Sequence, residues 1–257
     1  MKAPEFWYTV PGKASLQSIL LRPLSLLYQN ATARRVAKPV EYFADCPVIC
    51  VGNLNAGGTG KTPTVIALAQ EACSFGAKPV ILSRGYGGTL QGPVQVDASR
   101  HSAQEVGDEP LLLSAFASTI VCKLRVEGMK AAEELKPDLI ILDDGFQDPS
   151  VQKTKSLVVV DAEKGFGNGF CIPAGPLREP VKTGLARADA VMSLGTNQLL
   201  LPNSSKARKR LNSMPWQIRG KFSTMLSEST WKMLVFTVET QPLSSQLKNS
   251  TLRLSSK

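Results

Sequence analysis

Histidine is nearly missing from these 257 residues: His101 stands alone, in a polar loop. The five cysteines (Cys46, Cys50, Cys73, Cys122, Cys171) show no metal-ligand spacing, since Cys46 and Cys50 enclose three residues where a metal knuckle encloses two. Their odd number, with no signal peptide, leads to the expectation of reduced thiols in the cytosol. No apolar run approaches the roughly 20 residues that cross a bilayer. There is no internal repeat, and no basic motif interleaved with aromatics, so nucleic acid is not an expected partner. Acidic residues are scarce at both ends. From Lys206 onward there are ten Lys or Arg against two Asp or Glu, and from Met1 to Pro39 six against one, within a net charge of +9. Basic ends around a balanced middle suit an anionic partner such as a phospholipid surface or a phosphorylated substrate; lysines that merely keep the chain soluble are the plainer alternative.

What remains is an ordinary globular composition, 43% hydrophobic and 20% charged. Leu16, Ile19, Leu20, Leu24 and Leu27 recur at helical spacing over 16–28, interrupted by Arg22-Pro23 and followed by Arg34, Arg35 and Lys38. Such a helix either packs on the core or lies in a membrane interface. Strand and helix signals then alternate: strands at 47–51, 78–82, 119–122, 138–142 and 156–160, helices at 63–75, 109–117 and 126–135. The alternation predicts an α/β fold, a P-loop NTPase-like parallel sheet with helices on both faces. Three regions follow: an N-terminal helix at 1–40, an α/β core at 41–197, and a C-terminal segment at 198–257 where the pattern degrades.

Four motifs carry chemistry. Asn55-Ala56-Gly57-Gly58-Thr59-Gly60-Lys61-Thr62 lies between a strand and a helix, as a phosphate loop does. Its glycines let successive N–H groups face an anion, Lys61 would reach the β- and γ-phosphates of ATP, and Thr62 would ligate Mg2+. Asn55 stands where glycine is usual. The second motif is Asp138-Leu-Ile-Ile-Leu-Asp-Asp-Gly-Phe-Gln147, a buried strand ending in acids. Asp143 and Asp144 there would organise the metal and its waters, although Asp-Asp-Gly alone also reads as a turn. The third is Gly107-Asp-Glu-Pro110. Asp108 is either a helix N-cap or a base for a substrate hydroxyl, with Glu109 on metal. In Pro173-Ala-Gly-Pro-Leu-Arg-Glu-Pro180, after Gly165-Phe-Gly-Asn-Gly169, Arg178 would stabilise the transferring phosphoryl group. The same stretch also reads as a Gly/Pro loop with a surface ion pair.

Taken in order, and together with Pro4-Glu-Phe-Trp7, Arg22-Pro-Leu-Ser-Leu-Leu-Tyr28, Ser83-Arg-Gly-Tyr-Gly-Gly88 and Arg187-Ala-Asp-Ala190, these motifs resemble the tetraacyldisaccharide 4'-kinase family, the lipid A 4'-kinases of Gram-negative bacteria. The resemblance covers about the first three quarters of the chain. It implies transfer of the γ-phosphate of ATP to the 4'-hydroxyl of an acylated glucosamine disaccharide 1-phosphate, in peripheral contact with the cytoplasmic face of the inner membrane, with no obligate protein partner. It also implies Asp108 as catalytic base and Glu109, Asp143 and Asp144 as magnesium-associated. Lys61 and Thr62 match the phosphate and metal residues, and Arg178 with Glu179 matches an active-site pair.

Beyond about Arg219 the resemblance stops. Family members carry a later segment with a histidine that partners the catalytic aspartate, and this chain has no histidine after Asp108. A truncated or frameshifted end is one expectation, with ATP binding retained and turnover weakened or lost. The rival classes are a membrane-associated P-loop ATPase switch, disfavoured by Ala56 where such proteins place lysine, and a non-catalytic remnant of the kinase.

Overall fold

A computed structural model of the chain describes residues 3–9, 14–58, 60–195, 198–199, 219–224 and 234–239. A short 3-10 turn, Glu5–Tyr8, precedes helix α1 (Leu16–Val36). Then come β1 (Val48–Gly52), α2 (Lys61–Ser74), β2 (Pro79–Ser83), β3 (Val94–Gln95), α3 (Ala103–Val106), α4 (Asp108–Leu113) and β4 (Ser118–Val121). They are followed by α5 (Arg125–Glu134), β5 (Leu139–Asp143), β6 (Lys155–Asp161), α6 (Val181–Leu185), β7 (Ala190–Gly195) and β8 (Gln198–Leu199). Strands β9 (Arg219–Thr224) and β10 (Leu234–Glu239) pair with each other, antiparallel. The rest of the expected C-terminal segment at 198–257 lies outside the described residues.

Strands β1 to β8 form one sheet in the order β3-β4-β2-β5-β1-β6-β7-β8. The six inner strands are parallel, and β3 and β8 are antiparallel edges. Strands β1, β2 and β5 are buried at every residue, as parallel strands covered on both sides must be. Alternate residues feed two cores. Val48 and Cys50 pack with Val80, Ile140 and Met129 of α5, while Ile49 and Val51 pack with Val65 and Ala69 of α2 and Leu113 of α4. The expected doubly covered parallel sheet is therefore present. Strand β1 lies between β5 and β6, so the loop after β1 opens at the carboxyl edge where the order reverses, the usual place for a ligand in open α/β sheets.

Helix α1 departs from its predicted form. It runs unbroken through Pro23 to Val36, and Ser15 caps it by accepting from the Ser18 amide at 3.1 Å. Its buried positions are Ser18, Ser25 and Thr32, one every seven residues, a small hydroxyl stripe that lets the helix approach closely. The leucine face turns outward: Leu16 is 72% exposed, Leu20 70% and Leu27 66%. Of the two readings of this spacing, the exposed leucines contradict packing on the core; the side that packs inward is the hydroxyl stripe, with Ser18 Oγ bonded to the Asn168 side chain and Ser25 Oγ to Cys171 O.

Candidate active site

The phosphate loop leaves β1 and enters α2 through Gly60, whose left-handed backbone (φ 85°) begins the helix with no side-chain cap. The first N–H groups of α2 thus face the loop mouth, a setting that favours an anion. A Cβ built on Gly57 or Gly58 would meet nothing within 4 Å, so there is room for phosphate oxygens above the loop. Thr62 stands in the first turn of α2. Thr59 lies outside the described residues. The front of the loop is clamped from the opposite side, where the Asn55 side-chain amide donates to Gly165 O (2.9 Å) and Ala56 N to Pro176 O (2.7 Å). Asparagine in place of the usual glycine is thus an anchor.

Two cations converge on Asp144. Arg178 Nη1 is 2.8 Å and Lys61 Nζ 3.7 Å from Asp144 Oδ1. Burial would push this carboxyl up, but Arg178 and Lys61 outweigh it and hold it below the usual carboxylate range. Asp144 takes a left-handed backbone (φ 52°), which bends the chain away from β5 and aims the carboxylate at the loop. Its neighbour Asp143 is buried. Asp143 Oδ2 accepts from Ser83 Oγ at 2.9 Å, and Oδ1 is a buried oxygen with no protein partner. Burial raises the Asp143 carboxyl, Ser83 and Arg125 counter it, and the charge of Glu109 adds to the rise.

Asp108 and Glu109 open α4 with both side chains exposed. The cap is Gly107, not Asp108, so the capping role for Asp108 is corrected: as the first helical residue it leaves its carboxylate available. Gly107 has φ 94°, and a Cβ there would lie 2.6 Å from Tyr86 O, so this turn fits tightly against the loop after β2 and admits only glycine. Lys123 Nζ holds that loop from the other side, donating to Gly85 O at 2.7 Å.

Glu179 and Arg178 play different parts. Glu179 is 3% exposed and accepts from Arg187 Nη2 at 2.6 Å and from Gln147 Nε2 at 3.0 Å. Gln147 also donates to Asn53 O (2.8 Å) and accepts from Arg178 Nη1 (3.3 Å), while Arg187 lies over the Phe146 ring at 4.5 Å. Glu179 thus braces Arg178 through Gln147. The surface ion-pair reading of Arg178 and Glu179 is corrected: the two do not pair with each other, and Glu179 is interior.

Arg125, which sequence reasoning passed over, is 3% exposed at the start of α5. Its guanidinium donates to Leu82 O (2.9 Å), Asp143 O (2.5 Å) and Asp144 O (3.2 Å), tying the end of β2 to the acidic bend. A cation at a helix N-terminus opposes the helix dipole, and that mismatch was the one sequence signal of a specific partner. Gln147 and Arg187 fell within quoted motifs without a role.

Asp143 and Asp144 are hard oxygen donors, and the unpartnered Asp143 oxygen offers a lone pair to a metal or its water, while no cluster of three or more acidic, histidine or cysteine side chains able to enclose a metal occurs among the described residues. That donor set fits Mg2+, which needs only one or two carboxylates beside phosphates and water.

A family model described as Tetraacyldisaccharide-1-P 4'-kinase matches residues 17–248. The Tetraacyldisaccharide 4'-kinase of Dinoroseobacter shibae is 57% identical over 195 residues, covering 76% of this chain and 58% of the relative. That of Rhodospirillum centenum is 53% identical over 199 residues, 77% of this chain and 59% of the relative. The crystal structure of LpxK from Aquifex aeolicus in complex with ATP superimposes with a TM-score of 0.62 at 34% identity, covering 74% of this chain and 62% of that one. The chain spans 58–61% of the length of the curated relatives it matches. Ordered motifs, sheet topology and these matches agree: the chain belongs to the Tetraacyldisaccharide-1-P 4'-kinase family.

Proposed function

We propose that this chain is an ATP-dependent kinase that phosphorylates the 4'-hydroxyl of tetraacyldisaccharide 1-phosphate, a step in lipid A biosynthesis. The observation that carries the reading is the convergence of Lys61 and Arg178 on Asp144 at the mouth of the phosphate loop. The amides at the start of α2 and Lys61 would hold the β- and γ-phosphates of ATP. Arg178, fixed by Asp144 and Gln147, would meet the charge that develops on the transferring group. Asp108 would accept the proton of the sugar hydroxyl, and its exposure at the carboxyl edge leaves room for a bulky acceptor. Asp143, Asp144, Thr62 and Glu109 would hold Mg2+, which when bound neutralises phosphate charge.

The acceptor is a lipid, and α1 supplies a surface for it. Leu16, Ile19, Leu20, Leu24, Leu26 and Leu27 are each more than half exposed, and Arg34, Arg35 and Lys38 follow them. No described helix is long and apolar enough to cross a membrane. An apolar face with a basic flank instead suits peripheral contact with the anionic cytoplasmic face of the inner membrane. We assign residues 1–40 to that contact and 41–197 to the kinase core.

Lipid-dependent ADP formation tests this against the ATPase-switch alternative, which nothing in the site or the relatives supports. In detergent micelles, ADP release should require tetraacyldisaccharide 1-phosphate. Release at the same rate without lipid would contradict the kinase reading.

A further inference from the structure

A group of buried polar side chains outside the phosphate loop gathers around Asn168, in the glycine-rich run Gly165–Gly169. Asn168 is 6% exposed, and both polar atoms of its side chain are bonded. Its Nδ2 donates toward Phe6 O (3.1 Å), Ser18 Oγ (3.1 Å) and Ala174 O (2.9 Å), and its Oδ1 accepts from Phe170 N (3.1 Å). Its own amide donates to Trp7 O at 2.8 Å. One side chain therefore joins the N-terminal turn, α1 and two points, Phe170 and Ala174, of the loop that leads to Arg178. The fit is tight, for a Cβ on Gly175 would lie 2.1 Å from Asn168 Oδ1.

Two further bonds fasten the same loop to the N-terminal elements: Ser25 Oγ of α1 donates to Cys171 O (2.8 Å), and Trp7 Nε1 donates to Pro173 O (3.0 Å). The far side of the loop reaches the active site. Pro176 O accepts from Ala56 N and Gly165 O from the Asn55 side chain, while Arg178 N donates to Leu54 O at 2.7 Å. The loop is thus pinned between α1 and the phosphate loop, and it carries Arg178.

We infer that Asn168 is a positioning residue for phosphoryl transfer: it locks the 165–178 loop in the form that delivers Arg178 to Asp144, using the hydroxyl stripe of α1 as its support. Asn168 touches none of the residues that would hold ATP, so it acts through the loop. Ser18 and Ser25, otherwise odd in a leucine-rich helix, have a purpose in this arrangement. The inference rests on the kinase reading, because delivering Arg178 matters only where a phosphoryl group moves.

The test compares binding of ADP with binding of ADP plus aluminium fluoride, a mimic of the transferring phosphoryl group, by calorimetry with Mg2+ present. The parent chain should bind the mimic more tightly than ADP. In Asn168→Ala the ADP affinity should stay within about threefold, while the tightening given by fluoride should fall roughly tenfold, as expected when a charge-stabilising group is displaced by about an ångström. The double variant Ser18→Ala/Ser25→Ala, which leaves the Asn168 bonds to Ala174 and Phe170 in place, should show a smaller loss of the same kind. Undiminished tightening in Asn168→Ala overturns the inference while leaving the kinase reading intact. A parallel fall of both affinities with the melting temperature overturns it too, marking Asn168 as fold support only. A parent chain that binds ADP with no tightening contradicts the kinase reading and the inference together.

Discussion

Asp144 is held in a backbone conformation that costs a non-glycine residue about 1 kcal/mol, and the structure recovers this through Arg125, Lys61 and Arg178. On the proposed mechanism, Arg178→Ala removes the group that would meet the developing charge. It should lower kcat by roughly 100-fold while ATP affinity changes by only a few-fold, measured by steady-state kinetics and calorimetry. Arg125 separates charge from shape. Lysine keeps the cation but has no planar fork to span three carbonyls. Arg125→Lys should therefore destabilise the chain by roughly 3 kcal/mol in urea unfolding, nearly as much as Arg125→Met. A lysine variant as stable as the parent would show that charge alone suffices. Asp148 gives the pH dependence. Burial opposes its ionisation, but the Ser150 hydroxyl and amide, then Arg84, prevail, so its carboxyl sits below the usual range. A depressed carboxyl stabilises the fold above the unfolded value of about 3.9 and loses that contribution as pH falls through the folded value. The stability gap between the parent and Asp148→Asn should be constant from neutral pH down to about 5 and then close in acid.

Among the elements, those built on strong periodicity were legible in advance. The strands at 47–51, 78–82 and 138–142 appear shifted by one residue, as Val48–Gly52, Pro79–Ser83 and Leu139–Asp143, because continuous apolar runs flanked by Gly, Pro or Asp leave little choice. The short edge strands β3 and β8 were missed, since two residues carry no periodic signal. The helix predicted at 109–117 is instead Asp108–Leu113, because tight packing at Gly107 starts it one residue early. Helix α1 was legible in its composition but not in its orientation, for periodicity shows that leucines share a face and cannot say which way the face turns. That outward face carries its own prediction. Leu20→Ser/Leu27→Ser should weaken co-sedimentation with anionic lipid vesicles by about tenfold or more, while ATP affinity stays within twofold of the parent. Unchanged sedimentation would assign the face another role.

For the molecule as a whole, the phosphate loop and the acidic strand were each legible because the motifs carry their own strand and helix context, while their side-by-side placement on β1 and β5 is a finding of the structure. The braces around them were not legible. Arg125, Gln147, Asn168 and Arg187 each reach at least one partner between 18 and 162 residues away along the chain. Such pairings depend on topology, which local pattern does not encode. In the proposed function, this edge transfers phosphate to a lipid sugar using Asp108. The most direct test follows label from γ-radiolabelled ATP into purified tetraacyldisaccharide 1-phosphate in detergent micelles, with Asp108→Ala beside the parent. The account predicts labelled bisphosphorylated lipid from the parent and none above background from the variant. Parent protein that binds ATP yet labels no more lipid than Asp108→Ala would contradict it.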